Sequence, residues 1–185
     1  MLKWIGVESE VCDDLTSLEN VQKLVLPGVG AFDAAMQVLK KSGMAKSLIQ
    51  ANLNKIPIFG ICLGMQLLFE ESEEGSEKGL GLIEGSVKKI IKIDDLKIPH
   101  MGWNAASSYV SDNPLLKETT VDQKYYFVHS YHVKVKEEND SIMKTDYGIL
   151  FNSIVNRNNI FGVQFHPEKS HKYGLNLIKN YILKT

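Results

Sequence analysis

The chain has 185 residues, 44% hydrophobic and 23% charged, with a formal net charge of -1, which is the composition of an ordinary globular protein able to bury one sizeable core. That balance leaves no electrostatic footprint for nucleic acid or an anionic membrane, no apolar run approaches the roughly 18 residues of a membrane span, and no secretory signal pattern is present. Small molecules or another protein are the expected partners and the cytoplasm the expected compartment.

Leu2 to Ile5 reads as the last turn of a helix closed by Gly6, and Glu8 to Cys12 as a short strand holding Cys12 as a packed residue. Thr16 to Asn20 suits a single helical turn. Lys23 to Leu26 then forms a strand that runs into Pro27-Gly28-Val29-Gly30. Two glycines directly after a strand free the backbone to aim N–H groups at an incoming atom, with a plain tight turn as the alternative. Phe32 to Lys41 and Met44 to Asn54 have helical periodicity, with Phe32, Met36 and Leu39, then Leu48, Ile49 and Leu53, on the inner faces.

Ile56 to Ile61 has the composition of a buried strand and Met65 to Glu70 is rich in helix formers, so Cys62 falls between strand and helix. Gly60-Ile61-Cys62-Leu63-Gly64 is a nucleophile elbow with cysteine in place of serine. Side chains at Gly60 and Gly64 would collide across so sharp a reversal. The elbow is expected to expose Cys62 at the top of a sheet, with the N-terminal amides of the next helix favouring thiolate over thiol. Two cysteines, Cys12 and Cys62, are too few for a disulfide framework and lack the C-x-x-C spacing of zinc or dithiol sites.

Beyond the elbow, Glu70 to Glu77 is an acidic loop of the kind that is usually solvated surface. Ser86 to Ile93 is strand-like. Ile98-Pro99-His100-Met101-Gly102-Trp103-Asn104 packs bulky apolar residues and a histidine into a Pro/Gly-bounded loop, which suits a partner surface better than a connector. Tyr125 to Lys136 reads as one alternating strand, followed by strands at Ser141 to Tyr147, Phe151 to Val155 and Ile160 to Phe165. The last helix runs from about Tyr173 to Leu183 with Leu175, Ile178 and Ile182 buried. The expected architecture is one α/β domain over residues 1–185, a mostly parallel central sheet flanked by helices with an antiparallel β portion in the second half.

A cysteine nucleophile needs a base, and of the five histidines His166 carries its own orienter, in Gln164-Phe165-His166-Pro167-Glu168. Pro167 pushes His166 into an extended conformation, where residues i and i+2 point the same way about 6.6 Å apart. Glu168 can then fix the tautomer and steady the imidazolium while the other ring nitrogen faces the thiol. The alternative is a strand-end His-Pro turn with an exposed glutamate. His129 and His132, three apart on one strand, face opposite sides and are poor joint metal ligands.

Together with Leu26 to Phe32, Ile98 to Asn104, Tyr126 to Tyr131 and Gln164 to Ser170, these motifs make the chain resemble the class I glutamine amidotransferases. The resemblance is strongest to the glutaminase subunits of imidazole glycerol phosphate synthases and spans essentially the whole chain. It implies a flavodoxin-like fold, no cofactor and no metal, and a Cys62-His166-Glu168 triad that hydrolyses L-glutamine to glutamate and ammonia. It also implies an oxyanion site from the Leu63 amide and an amide of Gly28, Val29 or Gly30 after a peptide rotation. Gln66, Glu74, Ser130 and Tyr131 match positions that hold the substrate. The implied partner is a (β/α)8 synthase (cyclase) subunit in a heterodimer that receives the ammonia, with Met101, Trp103, Asn104 and Lys169 at the interface.

Two features depart from that pattern. The family's first strand, its Asp-Tyr-Gly-Met-Gly-Asn turn and most of a first helix are missing, so Met1 is expected to be an internal methionine of a longer chain. Phe161-Gly162-Val163-Gln164 and Ser170 to Gly174 look more like the branch that feeds surface-saccharide amidination, which remains the alternative ammonia acceptor. A partner-only, inactive subunit is a second alternative.

Overall fold

The computed structural model describes residues 1–12, 21–93, 96–108, 112–120 and 123–185; the helical turn expected at Thr16 to Asn20 lies outside them. α1 (Leu2–Ile5) is the expected turn, closed by Gly6 at φ 77°. The strand expected at Glu8 to Cys12 does not form: among the described residues these have no ladder partner, and Val11 is 90% exposed.

β1 (Leu24–Gly28) leads through the glycine loop into α2 (Phe32–Lys41) and α3 (Met44–Leu53). α2 buries Phe32 and Met36 as expected. α3 turns a different face inward: Ala45, Leu48 and Ala51 are buried, while Ile49 and Leu53 are exposed. Small residues at three-residue spacing let one helix approach its neighbours closely, and that outweighs the larger apolar area of Ile49 and Leu53.

β2 (Ile58–Cys62) is buried throughout and turns at once into α4 (Leu63–Leu67), a single turn beginning two residues earlier than the sequence suggests. β3 (Glu71–Ser72) and β4 (Gly85–Lys89) follow; the predicted strand to Ile93 stops short, with Ile91 and Ile93 exposed. After β5 (His100–Ala105) and β6 (Ser107–Ser108), the run from Tyr125 to Lys136 proves to be two strands, β7 (Lys124–His129) and β8 (Tyr131–Val135), broken at Ser130. β7 pairs with β5 and β8 with β4, so the break hands the chain from one small sheet to another. β9 (Ser141–Asp146), β10 (Leu150–Arg157), β11 (Ile160–Val163) and α5 (His171–Lys184) complete the order.

The large sheet runs β1-β2-β11-β10-β9-β6, parallel from β1 through β2 to β11 and antiparallel beyond. Its two faces carry separate cores, as the period of 2 along a strand requires. On one face Ile58, Val155 and Ile160 pack with Phe32, Met36, Leu48 and Phe69 beneath α2 to α4. On the other Phe59, Ile61, Ile154 and Val163 pack with Phe127, Phe151, Phe165 and Tyr181. Each fully buried aromatic or aliphatic side chain contributes about 1.5–3 kcal/mol relative to exposure. Gly28 lies opposite Cys62 in the β1–β2 register, so the glycine loop and the elbow leave the sheet at the same end.

Candidate active site

Cys62 sits at φ 53°, ψ -111°, at the N-cap of α4. A β-carbon-bearing residue held there costs on the order of 1–3 kcal/mol, which the packing around it must offset. The glycines make that packing possible. A Cβ on Gly60 would lie 2.7 Å from Gly64 O and Met65 N, one on Gly64 would lie 1.8 Å from Leu26 O, and one on Gly28 would lie 2.7 Å from Gly64 N. The elbow is thus jammed directly against β1 and the start of the glycine loop, where Val29 is exposed and Gly30 has φ 103° with open space around it.

Cys62 is not exposed at the top of the sheet as the sequence suggested. Cys62 retains 7% of its surface, because β7 and the His-Pro-Glu turn roof the elbow: the thiol lies 3.9 Å from Val128 O, and Gln164 Nε2 is 3.8 Å from the sulfur. α4 has only five residues, so its first amides rather than a long helix's dipole lie next to the sulfur.

His166 has extended geometry, φ -97° and ψ 97°, and Pro167 to Lys169 then form a 3-10 turn. That turn, rather than a continued extended chain, brings Glu168 back: His166 Nδ1 to Glu168 Oε1 is 2.7 Å. The turn is held from three sides. His166 N donates to Tyr126 O of β7 at 2.8 Å, the buried Ser170 hydroxyl donates to His166 O at 2.6 Å and accepts from Tyr126 N at 3.0 Å, and Gly174 of α5 lies so close that a Cβ there would be 1.9 Å from Pro167 O.

The other ring nitrogen, Nε2, is buried and among the described residues meets no hydrogen-bond partner of good geometry. The Cys62 sulfur is nevertheless the largest influence on the ring: it, then the Glu168 carboxylate, push His166 up to about 9 against the opposing effect of burial. Partial burial works to raise Glu168, but the His166 hydrogen bond, a backbone amide and Lys169 prevail and hold it below the usual carboxylate range. The sulfur and the carboxylate thus both favour a proton on the His166 ring, which Glu168 orients.

Of the residues that the resemblance assigns to the substrate, Gln66 adjoins this centre through Gln164. The Gln66 side chain is buried, its amide donating to Tyr131 O at 3.1 Å and to Gln164 Oε1 at 3.2 Å. Ser130 is the break between β7 and β8, and Tyr131 begins β8. Glu74 accepts from Phe32 N at 2.9 Å and so caps α2, whose own N-cap residue, Ala31, offers no side-chain acceptor. On the outer side Met101 is 62% and Trp103 46% exposed; Trp103 stacks on His171 at 5.2 Å and meets Tyr126 edge-on at 6.0 Å, and Lys169 Nζ lies 5.7 Å from the Tyr126 ring. The expected surface loop is largely strand β5, with Met101, Trp103, Lys169 and His171 forming one patch.

Three residues were not singled out as parts of the site from sequence. Gln164 touches the sulfur, and its side chain points inward where a strand-end polar residue would ordinarily face water. His100 and His129 are buried and contact each other, Nδ1 to Nε2, at 3.0 Å. In sequence His100 sits in a Pro/Gly-bounded loop that reads as a partner surface and His129 on an alternating strand, and nothing in their spacing joins them. Among the described residues no cluster of three or more His, Cys, Asp or Glu could hold a metal, and no helix is long and apolar enough to cross a membrane.

Comparison with known proteins agrees with this geometry. Residues 2–185 match the glutamine amidotransferase class-I family. The chain is 45% identical to "imidazole glycerol phosphate synthase subunit HisH 2" of Pseudomonas aeruginosa, covering 98% of this chain and 90% of that protein. It is 42% identical to the HisH subunit of Leptospira interrogans over the same shares, and 45% identical to that of Sulfurimonas denitrificans over 96% and 86%. A crystal structure of a glutamine amidotransferase superposes with TM-score 0.75 at 18% identity, covering 98% of this chain and 90% of the other. That of a putative GMP synthase component from Thermoplasma acidophilum gives 0.72 at 23% identity, covering 98% and 82%. This chain belongs to the class I glutamine amidotransferase family.

Proposed function

We propose that this chain is the glutaminase subunit of an imidazole glycerol phosphate synthase, with Cys62, His166 and Glu168 as its catalytic residues. The carrying observation is that Glu168 Oε1, 2.7 Å from His166 Nδ1, orients the ring beside the cysteine of the elbow. The Cys62 thiol passes its proton to His166 Nε2, the resulting thiolate attacks the side-chain amide carbon of glutamine, and the C–O π electrons move onto oxygen. His166 delivers its proton to the amide nitrogen as the C–N bond breaks, releasing ammonia and leaving a glutamyl thioester. Water, deprotonated by the now neutral His166, adds to the thioester, and collapse returns the sulfur and yields glutamate.

The oxyanion falls to the Leu63 amide and an amide of Gly28, Val29 or Gly30; the open surroundings of Gly30 leave that loop room to rotate a peptide. Gln66, Glu74, Ser130 and Tyr131 hold the substrate's charged ends, Glu74 with a carboxylate that already carries the α2 cap. The ammonia acceptor is a (β/α)8 synthase subunit docked on Met101, Trp103, Asn104 and Lys169, in the cytoplasm. All three relatives carry the imidazole glycerol phosphate synthase name, which favours that acceptor over a saccharide, and the assembled His166–Glu168 pair argues against an inactive subunit.

The test is glutamine hydrolysis by the chain with and without the (β/α)8 synthase of its host. Turnover that rises on the order of a hundredfold with the synthase, the worth of one oxyanion donor, supports the reading. Equal turnover with and without the synthase rejects the partnership, and no turnover in either case rejects the enzyme.

A further inference from the structure

An unbroken line of buried and part-buried hydrogen bonds joins β5 to Cys62. Asn104 Nδ2 lies 3.3 Å from His100 Nε2, His100 Nδ1 lies 3.0 Å from His129 Nε2, and His129 Nδ1 lies 2.8 Å from Tyr131 O. Gln66 Nε2 then donates both to Tyr131 O and to Gln164 Oε1, and Gln164 Nε2 meets the Cys62 sulfur at 3.8 Å.

Every proton in the line has one allowed place. A carbonyl oxygen accepts only, so the His129 proton is on Nδ1 and its Nε2 is an acceptor. His100 must then carry its proton on Nδ1, which leaves its Nε2 to accept from Asn104. A second proton on either ring would set donor against donor, and burial opposes it, pushing His100 down to about 4 and His129 to about 3. Stacking fixes the His100 ring between Tyr147, at 3.8 Å, and Phe127, at 4.7 Å. A buried, fully directed network of this kind resists rotation of any one member. Its last member is the amide that touches the reacting sulfur.

We propose that His100, His129, Gln66 and Gln164 are positioning residues that hold the Cys62 sulfur in its attacking orientation, and that Asn104 ties this relay to the β5 surface. The idea rests on the glutaminase reading for its consequence, but its first consequence is chemical: the aim of the sulfur, and hence its reactivity, depends on a hydrogen bond two histidines away. Asn104 also donates to Asp146 O at 2.9 Å and follows Trp103 directly, so a partner that shifts β5 pulls on the relay's outer end.

The experiment measures two things on the full chain with its synthase: kcat and KM for glutamine, and the alkylation rate of Cys62 by iodoacetamide, followed on the Cys62 peptide. His100→Phe keeps the ring stack and removes the donor to His129. It is expected to lower kcat and Cys62 alkylation each about tenfold, the loss of roughly one hydrogen bond, with KM within about twofold. His100→Asn, whose amide reproduces the Nδ1 donor, should restore both to within about threefold, and Gln164→Met should cost more than His100→Phe.

A His100→Phe protein within twofold of wild type in both readouts overturns the relay. An Asn variant no better than the Phe variant also overturns it, because packing and not the hydrogen bond would then be at work. Should His100→Phe fail to fold, Asn104→Leu at the half-buried end decides, with about a threefold loss of Cys62 alkylation expected in the chain without its synthase and an unchanged rate fatal. If wild type does not hydrolyse glutamine yet Cys62 alkylation follows the expected order, the glutaminase reading fails and the relay stands.

Discussion

His166 and His129 both lie within the roof over the elbow, at 4% and 6% of their free exposure, yet they are driven in opposite directions, His166 up to about 9 and His129 down to about 3. Desolvation disfavours charge at both. At His166 a sulfur and a carboxylate overcome it; at His129 the neighbours are Phe127, Phe151 and a second neutral imidazole, His100, with a backbone carbonyl as its hydrogen-bond acceptor. Burial alone makes a histidine a neutral, direction-setting strut. Burial beside counter-charges makes it an acid.

Removing the reacting groups should break that contrast most severely. Cys62→Ala or His166→Ala is expected to lower glutamine turnover by on the order of a thousandfold or more, as loss of a triad member does. His129→Gln should cost only about tenfold, and Cys12→Ala should leave turnover nearly intact. Steady-state ammonia release measures all four. A His129 variant as crippled as the His166 variant would mean that the two sites are not functionally distinct.

Glu168→Gln sharpens the comparison by making the His166 site more like the other. The carboxylate is the second-largest cause raising His166, so its removal should lower turnover by on the order of a hundredfold and move the alkaline limb of kcat from near pH 9 towards neutrality. An unmoved limb would show that Glu168 orients the ring without sustaining its charge.

The half of the site that speaks through local sequence was legible: Cys62 between two glycines and His166 two residues from Glu168 are short-range constellations, and the structure joins Nδ1 to Oε1 at 2.7 Å. What was hidden depended on long-range pairing. Tyr125 to Lys136 alternates like one strand, and no residue type at Ser130 announces that β7 and β8 join different sheets; that break sets His129 and Tyr131 at the relay. His100 meets His129 only through the β5–β7 register, which sequence spacing does not contain. Ile49 and Leu53 misled for a related reason, since whether small or large residues face inward on α3 depends on how near its neighbours lie. The burial of Cys62 was missed because its roof comes from β7, where Val128 is 66 positions away, and from residues 166–169, farther still along the chain.

The smallest expected effect is on stability, where the two histidine sites pull against each other. His166 has a folded pKa raised above its ordinary 6.5, so its contribution is fully present below pH 6.5 and is lost as pH rises through about 9. His100 and His129 have folded values lowered to about 4 and about 3. Their neutral state is shared with the unfolded chain above pH 6.5, and below it the unfolded chain takes up protons the fold refuses, so stability declines as pH falls towards 4. The thermal midpoint should therefore peak near pH 6.5. Between about pH 4.5 and 6.5, above the range where ordinary carboxylates titrate, the acid-side slope should come chiefly from His100 and His129. A His129→Gln protein should be flatter there by a few degrees of midpoint, while Glu168→Gln, acting on His166, should flatten only the side above 6.5. Scanning calorimetry across pH 4.5 to 9 separates the two limbs, and a His129→Gln protein with an unchanged acid slope would show that the buried pair is not held neutral by the fold.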